Sequence, residues 1–269
     1  MKKILRVLEL KLLWIRSSIS LGVKLGFLLY IPLSLISILL FKRKKINYLG
    51  SSFLFDNWTT PFTLMQYPFE ISNKILNNLD IKNINTILDI GANCGQFALT
   101  LNYYLPNANI YSFEPNKLIY TLLEKNVSSK DKIKYFNYGI GQEGSNIMYF
   151  TPNKSAKGSL ISQNATIDNN SDLEKVEINL ISDISKLTNV EHYNLVKIDV
   201  EGYEYEVLNQ IKGLTFKYLF IEVSAEKRAK QFNSSDLFLL IKEKFGTFNI
   251  VYQSKCDVKS ECYDILLRF

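Results

Sequence analysis

Asp89-Ile90-Gly91-Ala92-Asn93-Cys94-Gly95 places an acid and two glycines directly at the end of the apolar run Thr86–Ile90. A buried strand that ends in such a turn is where an open α/β sheet receives a ligand, beyond the carboxyl ends of its strands. Glycines at the turn let a cofactor approach the main chain. Asn109 to Phe113 is a second apolar run, closed by Glu114-Pro115-Asn116. An acid at this strand end can accept hydrogen bonds from both ribose hydroxyls of an adenosine. The bland alternatives are a helix-capping role for Asp89 and a solvated strand end for Glu114.

The spacing argues about which cofactor. A dinucleotide requires G-x-G-x-x-G, so that its pyrophosphate meets a helix N-terminus. Asn93 stands where the second glycine would be, and Asp89 would repel a pyrophosphate. S-adenosylmethionine has no phosphate. Its α-ammonium can pair with Asp89, and turn amides can receive its carboxylate. The charges favour that methyl donor, with Asp89, Gly91, Ala92, Asn93, Gly95, Glu114 and Asn116 as the expected cofactor-binding residues.

A third motif, Lys197-Ile198-Asp199-Val200-Glu201-Gly202-Tyr203-Glu204, reads as a strand running into a turn. Residues 197, 199 and 201 share one side of a strand by its period of two. Charge in an apolar central strand is costly unless it is paired or opens on a site. Lys197 is expected to pair with Asp199. Glu222 ends the following strand in Phe220-Ile221-Glu222-Val223-Ser224. Asp199, Glu201 and Glu222 form the candidate catalytic set. One could act as a general base for an acceptor hydroxyl, with a pKa raised by burial. The alternatives are a divalent metal held by the same carboxylates and a purely structural ion pair. No metal ligands are assigned. His192 precedes that strand, toward the opposite edge of the sheet from the site, and reads as a surface or packing residue. Cys94 contributes only small size to its turn.

The elements that must position these residues alternate regularly. Strand-like runs at 86–90, 109–113 and 132–138 are separated by helical patterns at 96–104 and 117–127. The alternation resumes with strands at 195–200 and 218–223 around a helix at 203–211, then a helix at 236–245. This is the signature of a parallel, doubly wound α/β sheet. Runs at 248–253 and 263–269 have no helix between them and should pair antiparallel. Short extra strands are expected at 146–150 and 176–180, and the polar stretch 151–175 reads as a substrate lid or a disordered tip. Upstream, Asn47–Gly50 reads as a strand or turn and Phe69–Leu79 as a helix. The expected layout is an N-terminal segment (1–45), a cap region (46–84) and a catalytic domain (85–269).

The 269 residues carry a formal charge of +6, with 47% hydrophobic and 22% charged residues, which suits a globular core. Much of the excess charge precedes residue 46, ending in Lys42-Arg43-Lys44-Lys45. No basic stripe interleaved with aromatics follows, which argues against nucleic acid. Cys94, Cys256 and Cys262 suit neither a zinc site nor a disulfide framework, and fit a reducing cytoplasm. Leu25 to Phe41 has no charged side chain but is short for a span and contains Pro32. A span would also carry its basic flank the wrong way across a membrane. The expectation is peripheral contact of residues 19–45 with the inner face of the membrane. A soluble helix and a true span are the alternatives.

Taken in order, Asp89–Gly95, Ser112-Phe113-Glu114-Pro115, Lys197–Glu204 and Phe220–Val223 resemble the FkbM family of methyltransferases. The resemblance covers residues 85 to 225. It implies a Rossmann-like class I methyltransferase fold that uses S-adenosylmethionine, generally for O-methyl transfer to sugars or polyketide-type natural products. It also implies that Asp199 and Glu201 lie beside the transferred methyl. The expected acceptor is a hydroxyl of a glycan, glycolipid or small molecule. A nicotinamide oxidoreductase and a scaffold protein that has lost catalysis are the alternatives from other classes.

Overall fold

A computed structural model describes residues 45–55, 60–150, 174–224, 234–255 and 262–269. A hairpin, β1 (Lys45–Tyr48) and β2 (Ser51–Leu54), comes first, followed by helix α1 (Thr60–Lys74). The main body alternates β3 (Thr86–Ile90), α2 (Gln96–Tyr104), β4 (Asn109–Phe113), α3 (Lys117–Val127) and β5 (Ile133–Phe136). Three strands follow, β6 (Gly139–Ile140), β7 (Gly144–Phe150) and β8 (Glu174–Ile181), and then the short helix α4 (Ser185–Thr188). The second half is β9 (His192–Ile198), α5 (Glu204–Gln210), β10 (Thr215–Ser224), α6 (Ser234–Phe245), β11 (Asn249–Gln253) and β12 (Cys262–Arg268).

The main sheet has the order β11-β12-β10-β9-β3-β4-β5. Strands β3, β4, β5, β9 and β10 pair in parallel, while β12 runs antiparallel to both β10 and β11. This is the doubly wound α/β sheet expected from the alternation, with its antiparallel late strand. Apolar residues on both faces of each central strand explain it. Ile87 and Leu195 pack with α1, α2 and α3, whereas Leu88, Ile90, Val196 and Ile198 pack with α5 and α6. Strands buried on both faces need helices on both sides.

The hairpin turns through Leu49 and Gly50, both at positive φ (49° and 78°), as a two-residue turn requires. Tyr48, Phe53 and Phe55 are fully buried in the same core as the sheet. Asn126 of α3 fixes the hairpin: its Oδ1 accepts from the Leu54 amide at 2.7 Å, and its Nδ2 donates to Leu54 O at 2.9 Å and Cys94 O at 2.8 Å. Asn126 thus ties the hairpin to the turn that carries Gly91 and Gly95.

Two boundaries differ from expectation for physical reasons. Helix α1 covers 60–74, with Pro68 inside it, and stops five residues before Leu79. The side chain of Asn78 bonds Asn73 O at 3.1 Å and Lys74 O at 3.3 Å, taking over the final carbonyls. Strand β9 ends at Ile198 because Glu201 and Gly202 take positive φ (54° and 96°). Glu201 therefore reaches its position through a turn, and the strand alternation that grouped it with residues 197 and 199 does not extend to it. The extra strands form a separate sheet, β6-β8-β7. The polar segment 151–173 and the basic, apolar segment 1–44 lie outside the described residues. Among the described residues no helix is long and apolar enough to cross a membrane.

Candidate active site

A cleft opens at the carboxyl ends of β3, β4 and β9. Its empty space is about 860 Å³, with the open solvent at its mouth included. Gly91, Asn93, Glu114 and Asn116 line one part of it, and Asp199 and Glu201 another. Six of the residues singled out in the sequence therefore share one concave surface. Asp89, Ala92 and Gly95 stand behind it, and Glu222 does not line it.

The turn after β3 is built by its glycines in an unexpected way. Gly91 sits at φ +77°, and a Cβ there would lie 2.0 Å from the carbonyl oxygen of Asp199. Gly95, at φ +91°, would drive a Cβ to 2.8 Å from Leu123 Cδ1. Both glycines let neighbouring protein approach: β9 in one case, α3 in the other.

Glu114 is 5% exposed and joins two backbone segments. Its Oε2 accepts from the Asn93 amide and its Oε1 from the Asn116 amide, each at 2.9 Å. Burial pushes its pKa up to about 7, against the pull of those two amides. Each oxygen keeps a lone pair beyond its backbone bond, so the carboxylate can still accept from a diol in the cleft. Asn116 also caps α3, its Oδ1 accepting from the Leu118 amide at 3.0 Å.

Asp89 is fully buried and already engaged. Its Oδ1 lies 3.3 Å from Lys197 Nζ, and its Oδ2 accepts from Ser112 Oγ at 3.3 Å. The register puts Asp89 directly opposite Lys197, and Ser112 opposite Asp89, on one face of the sheet. Lys197 is 3% exposed. It donates to Gly91 O at 2.7 Å and also meets Asp199 Oδ2 at 3.5 Å. Burial opposes its charge, but the Asp199 and Asp89 carboxylates outweigh burial and hold the ammonium above its ordinary value. Burial pushes Asp89 up, only partly countered by Lys197. The lysine is the group held charged. The expected Lys197–Asp199 pairing is present, but it is one arm of a larger clamp.

Glu204 escaped the sequence reading. It is buried, and its Oε1 accepts from the Val200 amide at 3.2 Å and the Gly202 amide at 3.0 Å. Burial raises its pKa to about 7. Its carboxylate shapes the turn that delivers Glu201; the signal was the glycine between two acids in Glu201-Gly202-Tyr203-Glu204. The cleft wall supplied by Met148, Ile178 and Leu180 of the small sheet was also missed, since nothing in those strands marks them as cleft-facing.

Glu222 lies beside Asp264 in the β10–β12 register, with Oε2 lacking a hydrogen-bond partner among the described residues. Burial, then the Asp199 and Glu201 charges, push its pKa upward, so it favours the protonated form. His192 is exposed at the far end of β9, with Nδ1 3.0 Å from Thr215 Oγ1. Among the described residues no cluster of His, Cys, Asp and Glu has metal-binding geometry.

The chain matches the methyltransferase FkbM domain over residues 89–247. It is 26% identical to Methyltransferase 1 of Beauveria bassiana (strain ARSEF 2860) over 140 residues, covering 45% of this chain and 56% of that one. It is also 26% identical to Methyltransferase sdnD of Sordaria araneosa over 164 residues, covering 49% and 63%. The aligned stretches thus span less than two thirds of either relative. Among solved structures, methyltransferase FkbM from Methylobacillus flagellatus KT matches over 78% of this chain and 53% of that one, at 14% identity and TM-score 0.44. Aeropyrum pernix fibrillarin with natively bound S-adenosyl-L-methionine matches over 74% of each chain, at 13% identity and TM-score 0.45. With its family domain beginning at the buried acid of the first strand-end turn and running through both acidic motifs, the chain belongs to the FkbM family of S-adenosylmethionine-dependent methyltransferases.

Proposed function

We propose that this chain transfers the methyl group of S-adenosylmethionine to a hydroxyl oxygen of a glycan, glycolipid or other small-molecule acceptor, using residues 85–269 as its catalytic domain. The observation that carries the reading is the single cleft that joins a ribose-type acid, Glu114, to the carboxylates of Asp199 and Glu201. The cofactor supplies a methyl on a positively charged sulfur. When bound it would give that methyl up to the acceptor oxygen, the electron pair of the broken carbon–sulfur bond remaining on sulfur.

The protein's part is alignment and proton removal. Glu114 and Asn116 would hold the ribose end, with the Gly91–Asn93 turn beside the amino-acid end. Asp89 would contribute from behind, through the turn it braces. Asp199, about half exposed in the cleft, and Glu201 are the groups placed to take the hydroxyl proton. Glu222, which favours its protonated form and does not line the cleft, would support the cleft wall and leave the base role to the other two. The basic, apolar stretch 19–45 supports an acceptor met at the inner face of the membrane. Replacing Leu28, Leu29 and Ile36 with Glu should release the protein from membranes, and unchanged fractionation would refute that part.

Calorimetric titration with S-adenosylhomocysteine, with NAD as control, tests the cofactor. Micromolar binding, lost in Asp89→Ala and Glu114→Ala, is the expected result. Labelled methyl transfer from S-adenosylmethionine to a panel of hydroxylated acceptors tests the reaction. Asp199→Asn and Glu201→Gln should slow it by about 100-fold or more if either is the base. Label appearing only on nitrogen or carbon would overturn the hydroxyl assignment.

A further inference from the structure

The Lys197 ammonium joins two strand ends that the reaction needs in fixed relation. Its shortest contact is with the main chain: 2.7 Å to Gly91 O, with Ile90 O at 3.5 Å. Those carbonyls belong to the turn on the cofactor side. Its other contacts are carboxylates: Asp89 Oδ1 at 3.3 Å in the same strand as that turn, and Asp199 Oδ2 at 3.5 Å on the cleft wall. The side chain is 4% exposed, so water does not compete for these contacts. A charge-balancing lysine needs only Asp89. This one also reaches forward to the turn and sideways to the candidate base.

The surrounding geometry leaves the two strand ends little freedom. The Asp199 amide donates to Ile90 O at 3.2 Å, and the Asp199 carbonyl occupies the space that a side chain at Gly91 would need. We propose that Lys197 is a positioning residue that sets the cofactor turn and the Asp199 carboxylate relative to one another. Its side chain does not line the cleft. The proposal rests on the methyl-donor reading above.

The experiment is calorimetric titration of the full chain with S-adenosylhomocysteine, alongside thermal unfolding. The variants are Lys197→Met, Lys197→Arg, Asp89→Asn and the double variant Lys197→Met/Asp89→Asn. Removing the ammonium alone leaves Asp89 buried without its counter-charge, so Lys197→Met loses stability whatever else it does. The double variant removes that orphan charge while keeping a hydrogen-bonding group for Ser112. The expected result is that the double variant regains thermal stability yet binds about tenfold or more weakly than Asp89→Asn alone, because the Gly91 carbonyl and Asp199 remain untied. Lys197→Arg, which keeps charge and donors, should bind more tightly than Lys197→Met. A double variant that binds as tightly as Asp89→Asn would overturn the proposal and leave Lys197 as a neutraliser of Asp89. Absence of binding by the unmodified chain would instead overturn the methyl-donor reading, so the two failures are told apart.

Discussion

Replacing Gly91 by alanine would set a methyl carbon 2.0 Å from the Asp199 carbonyl oxygen and 3.0 Å from its carbonyl carbon. Two costs add. An L-residue at φ +77° carries about 1–2 kcal/mol of backbone strain. Overpacking against a main-chain atom that cannot rotate away costs about 1–3 kcal/mol more. Gly246 provides the control: it also has positive φ (+97°), but a Cβ there meets nothing within 4 Å. Gly246→Ala should therefore pay only the strain, about 1–2 kcal/mol. For a domain of this size these losses correspond to a fall in Tm of roughly 10 °C for Gly91→Ala and about 4 °C for Gly246→Ala. Thermal unfolding followed by circular dichroism measures both. S-adenosylhomocysteine affinity should drop in the first variant only, because relief of the clash moves either the turn or Asp199. Equal losses of Tm in the two variants would refute the close approach of β9 to the turn.

Three further expectations concern parts around the cleft. Asn126→Leu strips the Leu54 amide and the Leu54 and Cys94 carbonyls of their shared partner; a loss of about 2–4 kcal/mol in urea unfolding is expected, and a loss under about 0.5 kcal/mol would contradict the tie between hairpin and turn. Glu204 has a folded-state pKa of about 7 against an ordinary 4.5, so the folded state binds the extra proton between those values. Its contribution is then fully present below 4.5 and lost as pH rises through 7. Glu204→Gln, which keeps the acceptor oxygen, should show a shallower fall in urea midpoint from pH 5 to pH 8, and an unchanged slope would refute this. Lys74 reaches Asp264 at 2.7 Å; Lys74→Met should cost about 2 kcal/mol, partly recovered by adding Asp264→Asn, and thermal unfolding that shows no recovery would deny that Asp264 is left as an unpaired charge.

The sheet was readable because its central strands are apolar on both faces and end in acids and glycines, as at Ile90-Gly91 and Phe113-Glu114. Residues at those ends, Gly91, Asn93, Glu114, Asn116 and Asp199, come together because parallel strands present the same end to one edge. What local pattern could not show was what each group faces. Asp89 reads as a ligand acid, yet cross-strand register places Lys197 against it, and register is a property of two segments at once. Glu201 looked like a strand residue, but the strand ends at Ile198 and the turn shaped by Glu204 carries the chain away from the alternation. The end of α1 was lost in a run of asparagines, where side-chain capping by Asn78 decides the boundary. The small sheet's contribution to the cleft depends on where β8 docks, which short alternating strands do not specify.

The position of β12 has a consequence for biosynthesis. It is made after every other strand of the main sheet, yet it inserts between β10 and β11. Until residues 262–268 clear the ribosome, β10 presents a bare hydrogen-bonding edge, flanked by Leu219, Ile221 and Val223, and β11 has nothing to pair with. The nascent chain must carry that open edge from the completion of β10 at Ser224 until β12 is made, a state in which an unpaired strand invites other strands. Closure then joins residues synthesised early, such as Lys74, to Asp264 near the far end. The half of the sheet that holds the cofactor turn can assemble first, whereas the wall behind Glu222 is sealed only by this late strand.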